Sequence, residues 1–247
     1  MTKDYTVIAN WKMNLLREEG ISLARAVAAH AEASLDVRTV VCPPSLMLRD
    51  VAEAVGNSIS VGAQDCHAES HGAYTGDVSA AMARDAGATY VLVGHSERRD
   101  NYAESDALVA EKALAASEAG LIPVICVGEQ LADRESGAAI DVVTKQVLGS
   151  VSEELTAPYL VAYEPVWAIG TGKVPTLDDI EAMHAALRKV LMNERDVESD
   201  DAYALYGGSV KASNANDIFA CASVGGVLVG GASLNADEFG AIIKAAS

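Results

Sequence analysis

A carboxylate at Glu164, an imidazole at His95, an ammonium at Lys12 and a carboxamide at Asn10 stand at separate points of this 247-residue chain, each just after a short apolar run. A carboxylate can take up a proton, and the other three groups can steady the negative charge left behind. Together they would suit proton abstraction next to a polarised oxygen. Singly, each has a plainer reading: a solvated loop carboxylate, a histidine at a strand end, a surface ammonium and its polar neighbour. The chemistry depends on whether the elements around them converge.

Short β-branched runs alternate with longer segments of helical period, the pattern of βαβ units and a parallel sheet. Eight candidate strands stand out, at 6–10, 39–42, 59–64, 90–94, 122–127, 159–163, 204–206 and 227–229. Several are continuous apolar runs, as strands covered on both faces should be. The segment after the sixth places Ile180, Met183, His184, Leu187, Val190 and Leu191 on one helical face, with Thr176 and Asp179 able to cap its start. Asn235 and Glu238 offer a similar start to the last helix, and Gly87 and Gly120 can end helices in the left-handed conformation. No linker divides the chain, so one (β/α)₈ barrel domain over residues 1–247 is the expectation. An open doubly wound sheet would announce a nucleotide site with a Gly-rich loop after its first strand, where this chain has Asn10-Trp11-Lys12-Met13-Asn14. In a closed barrel the residues after the strands share one mouth, where active sites of this architecture lie.

The chain carries 35 acidic against 18 basic side chains, a formal charge of −17, which opposes nucleic acid and anionic membrane surfaces as partners. An anionic small substrate then needs a local positive spot. The apolar run from Thr6 to Ala9 is too short for a signal-peptide core, and no stretch approaches a membrane span, so a cytoplasmic location is expected. Cys42, Cys66, Cys126 and Cys221 lack zinc or redox spacing and read as free, buried thiols. His30, His67, His71, His95 and His184 form no ligand set, and neither metal nor cofactor is expected.

Five strings, in order and at the right strand ends, resemble the triosephosphate isomerase family: Asn10-Trp11-Lys12-Met13-Asn14, Gly94-His95-Ser96-Glu97-Arg98-Arg99, the run from Ala162 to Gly172, Tyr206-Gly207-Gly208-Ser209-Val210, and Val229-Gly230-Gly231-Ala232-Ser233-Leu234. The resemblance spans nearly the whole chain. It implies interconversion of dihydroxyacetone phosphate and D-glyceraldehyde 3-phosphate through an enediol, an aldose–ketose isomerisation of glycolysis and gluconeogenesis. It makes Glu164 the base, His95 an electrophile kept neutral by a helix amino terminus as in that family, Lys12 the cation and Asn10 a donor to the developing oxyanion. Phosphate binding falls to Gly170, Ser209, Gly230 and Gly231 together with Asn10 and Lys12, while Ser96, Glu97 and Tyr206 support the first group. The run from Pro165 to Pro175 resembles the lid of the family, with Trp167 able to exchange partners at Tyr163 and Glu129.

The long connection from Gln64 to Ser79 exceeds the usual βα loop, and its stretch from Cys66 to Asp77 resembles the loop that docks into a second subunit, with Thr75 reaching Asn10 and Glu97. A homodimer is the expected assembly. Three positions depart from the family pattern: Pro175, which has no N–H to offer a Tyr206 latch, Asp65 in place of asparagine, and Gly225 in place of aspartate. An aldolase on the same fold would need a lysine inside a strand, and none occurs there. A catalytically silent barrel would have lost Glu164, His95 or Lys12.

Overall fold

The computed structural model describes residues 5–156, 158–169, 174–199 and 201–247. Eight parallel strands close on themselves in sequence order: β1 (Thr6–Asn10), β2 (Arg38–Cys42), β3 (Ser60–Ala63), β4 (Tyr90–Val93), β5 (Ile122–Val127), β6 (Leu160–Tyr163), β7 (Ala204–Tyr206) and β8 (Val224–Val229). Closure comes from β1, which pairs Val7 with Thr39 of β2 on one side and with Val227 of β8 on the other. The helices outside are α1 (Arg17–Ala31), α2 (Leu48–Val55), α3 (Ala80–Asp85), α4 (Ser96–Tyr102), α5 (Asp106–Glu118), α6 (Leu131–Glu135), α7 (Ala139–Ser150), α8 (Leu177–Glu194), α9 (Ala215–Phe219) and α10 (Ala236–Ala245). The barrel expected from the alternating runs is therefore the observed architecture.

Alternation along the strands sorts the core into two bodies. Ile8, Val40, Cys42, Leu92, Val124, Cys126, Leu205 and Leu228 fill the barrel interior. Their neighbours in sequence, such as Val7, Ala9, Val41, Val91, Val93 and Ile125, pack outward against the helices. This parity positions the site. Asn10 and Glu164 each follow an inward residue, Ile8 and Ala162, by two, so their side chains continue the interior file into the mouth.

The caps foreseen in the sequence are present. Thr176 Oγ1 accepts from Asp179 N–H while the Asp179 carboxylate accepts from Thr176 N–H, and Asn235 Oδ1 accepts from Glu238 N–H. Gly87 and Gly120 take φ of 102° and 76°. The stripe on α8 buries Ile180, Met183, His184, Leu187 and Leu191, and the half-buried Val190 packs against the same core. One sequence reading needs correction. Strand β8 begins at Val224 rather than 227, because Gly225 and Gly226 weaken any strand signal, yet a Cβ at Gly226 would strike the Thr6 carbonyl of the neighbouring strand. The Arg188 guanidinium lies over the Tyr203 ring at 3.9 Å. All four cysteines are free and buried, and no helix among the described residues is long and apolar enough to cross a membrane.

Asp65 joins a partly buried cluster with Glu104, Lys112 and Arg98. Lys112 Nζ lies 2.8 Å from Asp65 and 2.6 Å from Glu104, and Arg98 Nε lies 2.7 Å from Glu104. The Lys112 and Glu104 side chains are 5% and 3% exposed, so each charge depends on its partners. Removing the ammonium leaves the buried Glu104 carboxylate and the partly exposed Asp65 sharing Arg98 as their remaining cation. Lys112→Met is expected to cost about 3 kcal/mol of unfolding free energy, measured by urea titration; a loss below about 1 kcal/mol would count against a cooperative cluster.

Candidate active site

Each functional side chain reaches the mouth for a local reason. Lys12 follows β1 in a left-handed conformation, φ 52°, uncommon for a residue with a side chain. Its backbone is tied on both sides: Lys12 N–H donates to Asn10 Oδ1 at 3.0 Å, and Gln64 Nε2 donates to Lys12 O at 2.8 Å and to Cys42 O at 2.9 Å. Lys12 Nζ then sits 2.6 Å from Glu97 Oε1. After β4, Gly94 at φ 67° turns the chain so that His95, which strand parity would send outward, enters the mouth as the cap of α4. Arg99 holds this corner, donating to Gly94 O at 2.8 Å, to Cys126 O at 3.1 Å and to Ser150 Oγ at 3.0 Å.

Glu164 is 2% exposed. Its carboxylate lies 2.9 Å from His95 Nε2 and accepts from Ser96 N–H at 2.9 Å and Ser96 Oγ–H at 3.3 Å. His95 Nδ1 accepts from Glu97 N–H at 3.2 Å, which assigns the hydrogen of a neutral ring to Nε2, facing the cavity and the carboxylate. Burial opposes the charge on Glu164, but His95, the Ser96 N–H and Lys12 outweigh it and hold its pKa below the ordinary value. Burial likewise opposes an imidazolium at His95, and the adjacent Glu164 carboxylate overcomes this and raises its pKa. That rise depends on the carboxylate staying where it is. With Glu164 elsewhere, burial, Lys12 and the Glu97 N–H favour the neutral ring, against the half-exposed Glu97 carboxylate 3.9 Å from Nδ1.

Asn10, Lys12, His95, Glu164, Ser209, Gly230 and Gly231 line one cavity of about 500 Å³ at the carboxyl-terminal mouth. A Cβ on Gly230 would stand 3.4 Å from Lys12 Cε, so the first and last loops meet beside the ammonium. Gly170 lies outside the described residues, as do Thr171 and Gly172 of the lid tip. Ser96 and Glu97 contact Glu164 and Lys12 respectively. Trp167 Nε1 and Tyr163 Oη both donate to Glu129 Oε1, at 2.8 and 3.0 Å, so Trp167 is on its Glu129 partner. The Tyr206 hydroxyl is buried and makes no hydrogen bond among the described residues. Thr75 is exposed on its loop. The sequence reading missed Gln64, Arg99 and Lys211. Lys211 lines the same cavity two residues beyond Ser209, a spacing that could have drawn notice. Gln64 acts on backbone carbonyls, which carry no sequence signal, and Arg99 binds two of them besides Ser150 and Asp106.

A buried carboxylate, an imidazole and an ammonium at the mouth of a parallel barrel are the groups of a β/α-barrel enzyme suited to moving a proton beside a carbonyl of a small anion. A family model described as triosephosphate isomerase matches residues 5–246. The chain is 50% identical over 237 residues to the triosephosphate isomerase of Ruegeria sp. strain TM1040, covering 96% of this chain and 95% of that protein. It is 51% identical over 241 residues to that of Xanthobacter flavus, covering 97% and 96%. The crystal structure of triosephosphate isomerase from Bartonella henselae superposes with a TM-score of 0.90 at 40% identity, covering 98% of both chains. The chain belongs to the triosephosphate isomerase family.

The lowered Glu164 pKa has a sign that kinetics can read. A carboxylate held below 4.5 remains ionised, and able to accept a proton, until the pH falls through its folded value. The enzyme-borne acid limb of kcat/KM should therefore lie below the ordinary carboxylate value of 4.5. Initial rates after brief acid exposure measure it, and a limb near pH 6 traced to the enzyme would contradict the hold on Glu164.

Proposed function

We propose that Glu164, His95, Lys12 and Asn10 interconvert dihydroxyacetone phosphate and D-glyceraldehyde 3-phosphate by moving a proton between C1 and C2 through an enediolate. The observation that supports this most strongly is that all four line one cavity with Ser209, Gly230 and Gly231. Glu164 takes the proton from one carbon and returns it to the other. For this its carboxylate leaves Ser96 and His95, exchanging three donors for a site closed from water, where its basicity rises. His95 Nε2–H then faces the substrate oxygens rather than the carboxylate, and donates as charge develops on them. Lys12 supplies positive charge in an acidic protein, and Asn10 adds a donor.

The phosphate dianion falls to the loops after β7 and β8, at Ser209, Gly230 and Gly231, with Gly170 completing the set from the lid. Loops at these positions present backbone N–H groups to phosphate in barrels of this kind. Lys211 adds a second cation on that side of the cavity. No cofactor enters this mechanism, because every proton move has a protein group to carry it. A coupled assay on Glu164→Asp tests the base: drawing the carboxylate back by about one methylene should lower kcat by two to three orders of magnitude, roughly the sensitivity of a near-attack geometry. Wild-type turnover in that variant would remove Glu164 from its role.

The second part of the proposal is a homodimer formed through the 66–77 loop. The loop is internally braced: His67 N–H donates to Val78 O at 2.8 Å and the His67 ring lies 4.0 Å from that of Tyr74, which holds Thr75 outward. Beside it a groove of about 670 Å³ runs from Lys12 and Met13 to Tyr102, and Met13 and Leu46 at its rim are each 95% exposed. Large apolar side chains this exposed call for a cover, and a second copy's loop supplies one next to Lys12. Sedimentation should give twice the 25.6 kDa chain mass at micromolar concentration. A fully active monomer would overturn this assembly.

A further inference from the structure

The backbone that carries Glu164 rests on residues 127–129, and the middle of that stretch is held from outside the cavity. Glu164 N–H donates to Val127 O at 2.7 Å. Two residues on, Glu129 accepts from Tyr163 and Trp167, which flank Glu164 on either side. Gly128 lies between, one residue past Val127↔Tyr163, the last registered pair of β5 and β6, where the sheet ladder has ended. Its backbone is satisfied by one side chain of α7. Gly128 N–H donates to Gln146 Oε1 at 2.8 Å, and Gln146 Nε2 donates to Gly128 O at 2.9 Å. The carboxamide thus makes the pair of bonds that a neighbouring peptide would make.

Gly128 also touches the base directly. A Cβ at this position would overlap the Glu164 carbonyl oxygen, so the two main chains are in contact with no side chain between them. Gln146 does not line the main cavity; it borders a small pocket of about 90 Å³ behind it, shared with Gly128, Ser96 and Glu164. We propose that Gln146 is a positioning residue for the isomerisation, fixing the Gly128 peptide and through it the main chain from which the Glu164 carboxylate reaches the substrate carbon. The inference rests on Glu164 being the base. A Gly128 peptide free to tilt displaces the Glu164 backbone that lies on it, and displacements of about 1 Å at a reacting group cost up to about a hundredfold in rate.

Two variants test the role. Gln146→Glu keeps the shape and the acceptor for Gly128 N–H, but when ionised it turns an oxygen toward the Gly128 carbonyl, and when protonated it donates there again. Its kcat should fall by about tenfold at alkaline pH and recover as the pH drops, with KM within about twofold of wild type. Gln146→Leu should lose kcat by a similar factor at every pH. A purely structural glutamine would lower the melting temperature and leave kcat per folded molecule unchanged in both variants, which overturns the proposal. Should Gln146→Leu fail to fold, the isosteric glutamate variant still decides through its pH profile. Glu164→Gln, assayed alongside, separates the two readings: turnover retained there removes the base assignment itself, whereas turnover lost there and kept in both Gln146 variants removes only the positioning role.

Discussion

The two-residue period of eight closed strands is the constraint on which the rest of the molecule depends. Half of each strand's side chains must fill the barrel and half must meet the helices, so the strands are apolar on both faces and have no room for polar chemistry. Polar groups can enter only above the top interior layer. Asn10 and Glu164 do so by keeping parity with Ile8 and Ala162. His95 has the wrong parity, and Gly94 corrects it by turning the chain through a positive φ. Lys12 reaches the mouth by accepting a left-handed backbone, a cost of order 1 kcal/mol or more that the bonds from Gln64 and to Asn10 offset.

That constraint also explains what could be read from the sequence. Doubly covered strands are conspicuous as apolar runs, and caps such as Thr176 with Asp179 declare themselves by residue type and spacing. The candidate site was legible because its residues sit just past those runs and match a family's motifs. What escaped were contacts between a side chain and a distant backbone. Gln64 and Gln146 look like any amide on a strand end or a half-buried helix face, since a carbonyl 52 residues away or a peptide 18 residues away leaves no trace in residue type. The start of β8 escaped for a related reason: Gly225 and Gly226 are there because neighbouring backbone comes close, and closeness is a property of the fold.

The charges around the site are arranged by pairing rather than by excess. In a chain of net charge −17, Lys12 keeps its ammonium against Glu97, which is itself 50% exposed and therefore screened by solvent. Deeper charges are treated differently. Lys112 and Glu104 are shut away from water and serve geometry, holding the base of the 66–77 loop to α5 through Asp65.

Glu164 combines both treatments, as its proposed role of general base requires. Its burial alone would raise its affinity for protons, while His95, Ser96 and Lys12 cancel that effect so long as the carboxylate rests among them. The resting carboxylate is thus ionised and ready, though a poor proton acceptor. Moving it off those donors removes the stabilisation and leaves the burial, so basicity appears at the moment the carboxylate leaves Ser96 for the substrate. The same step releases His95 from the anion that favoured its protonation, returning a neutral ring whose Nε2–H can donate to the developing oxyanion. In the proposed mechanism one displacement therefore sets both partners into their working protonation states, and it requires only that the main chain beneath Glu164 stay fixed while its side chain moves.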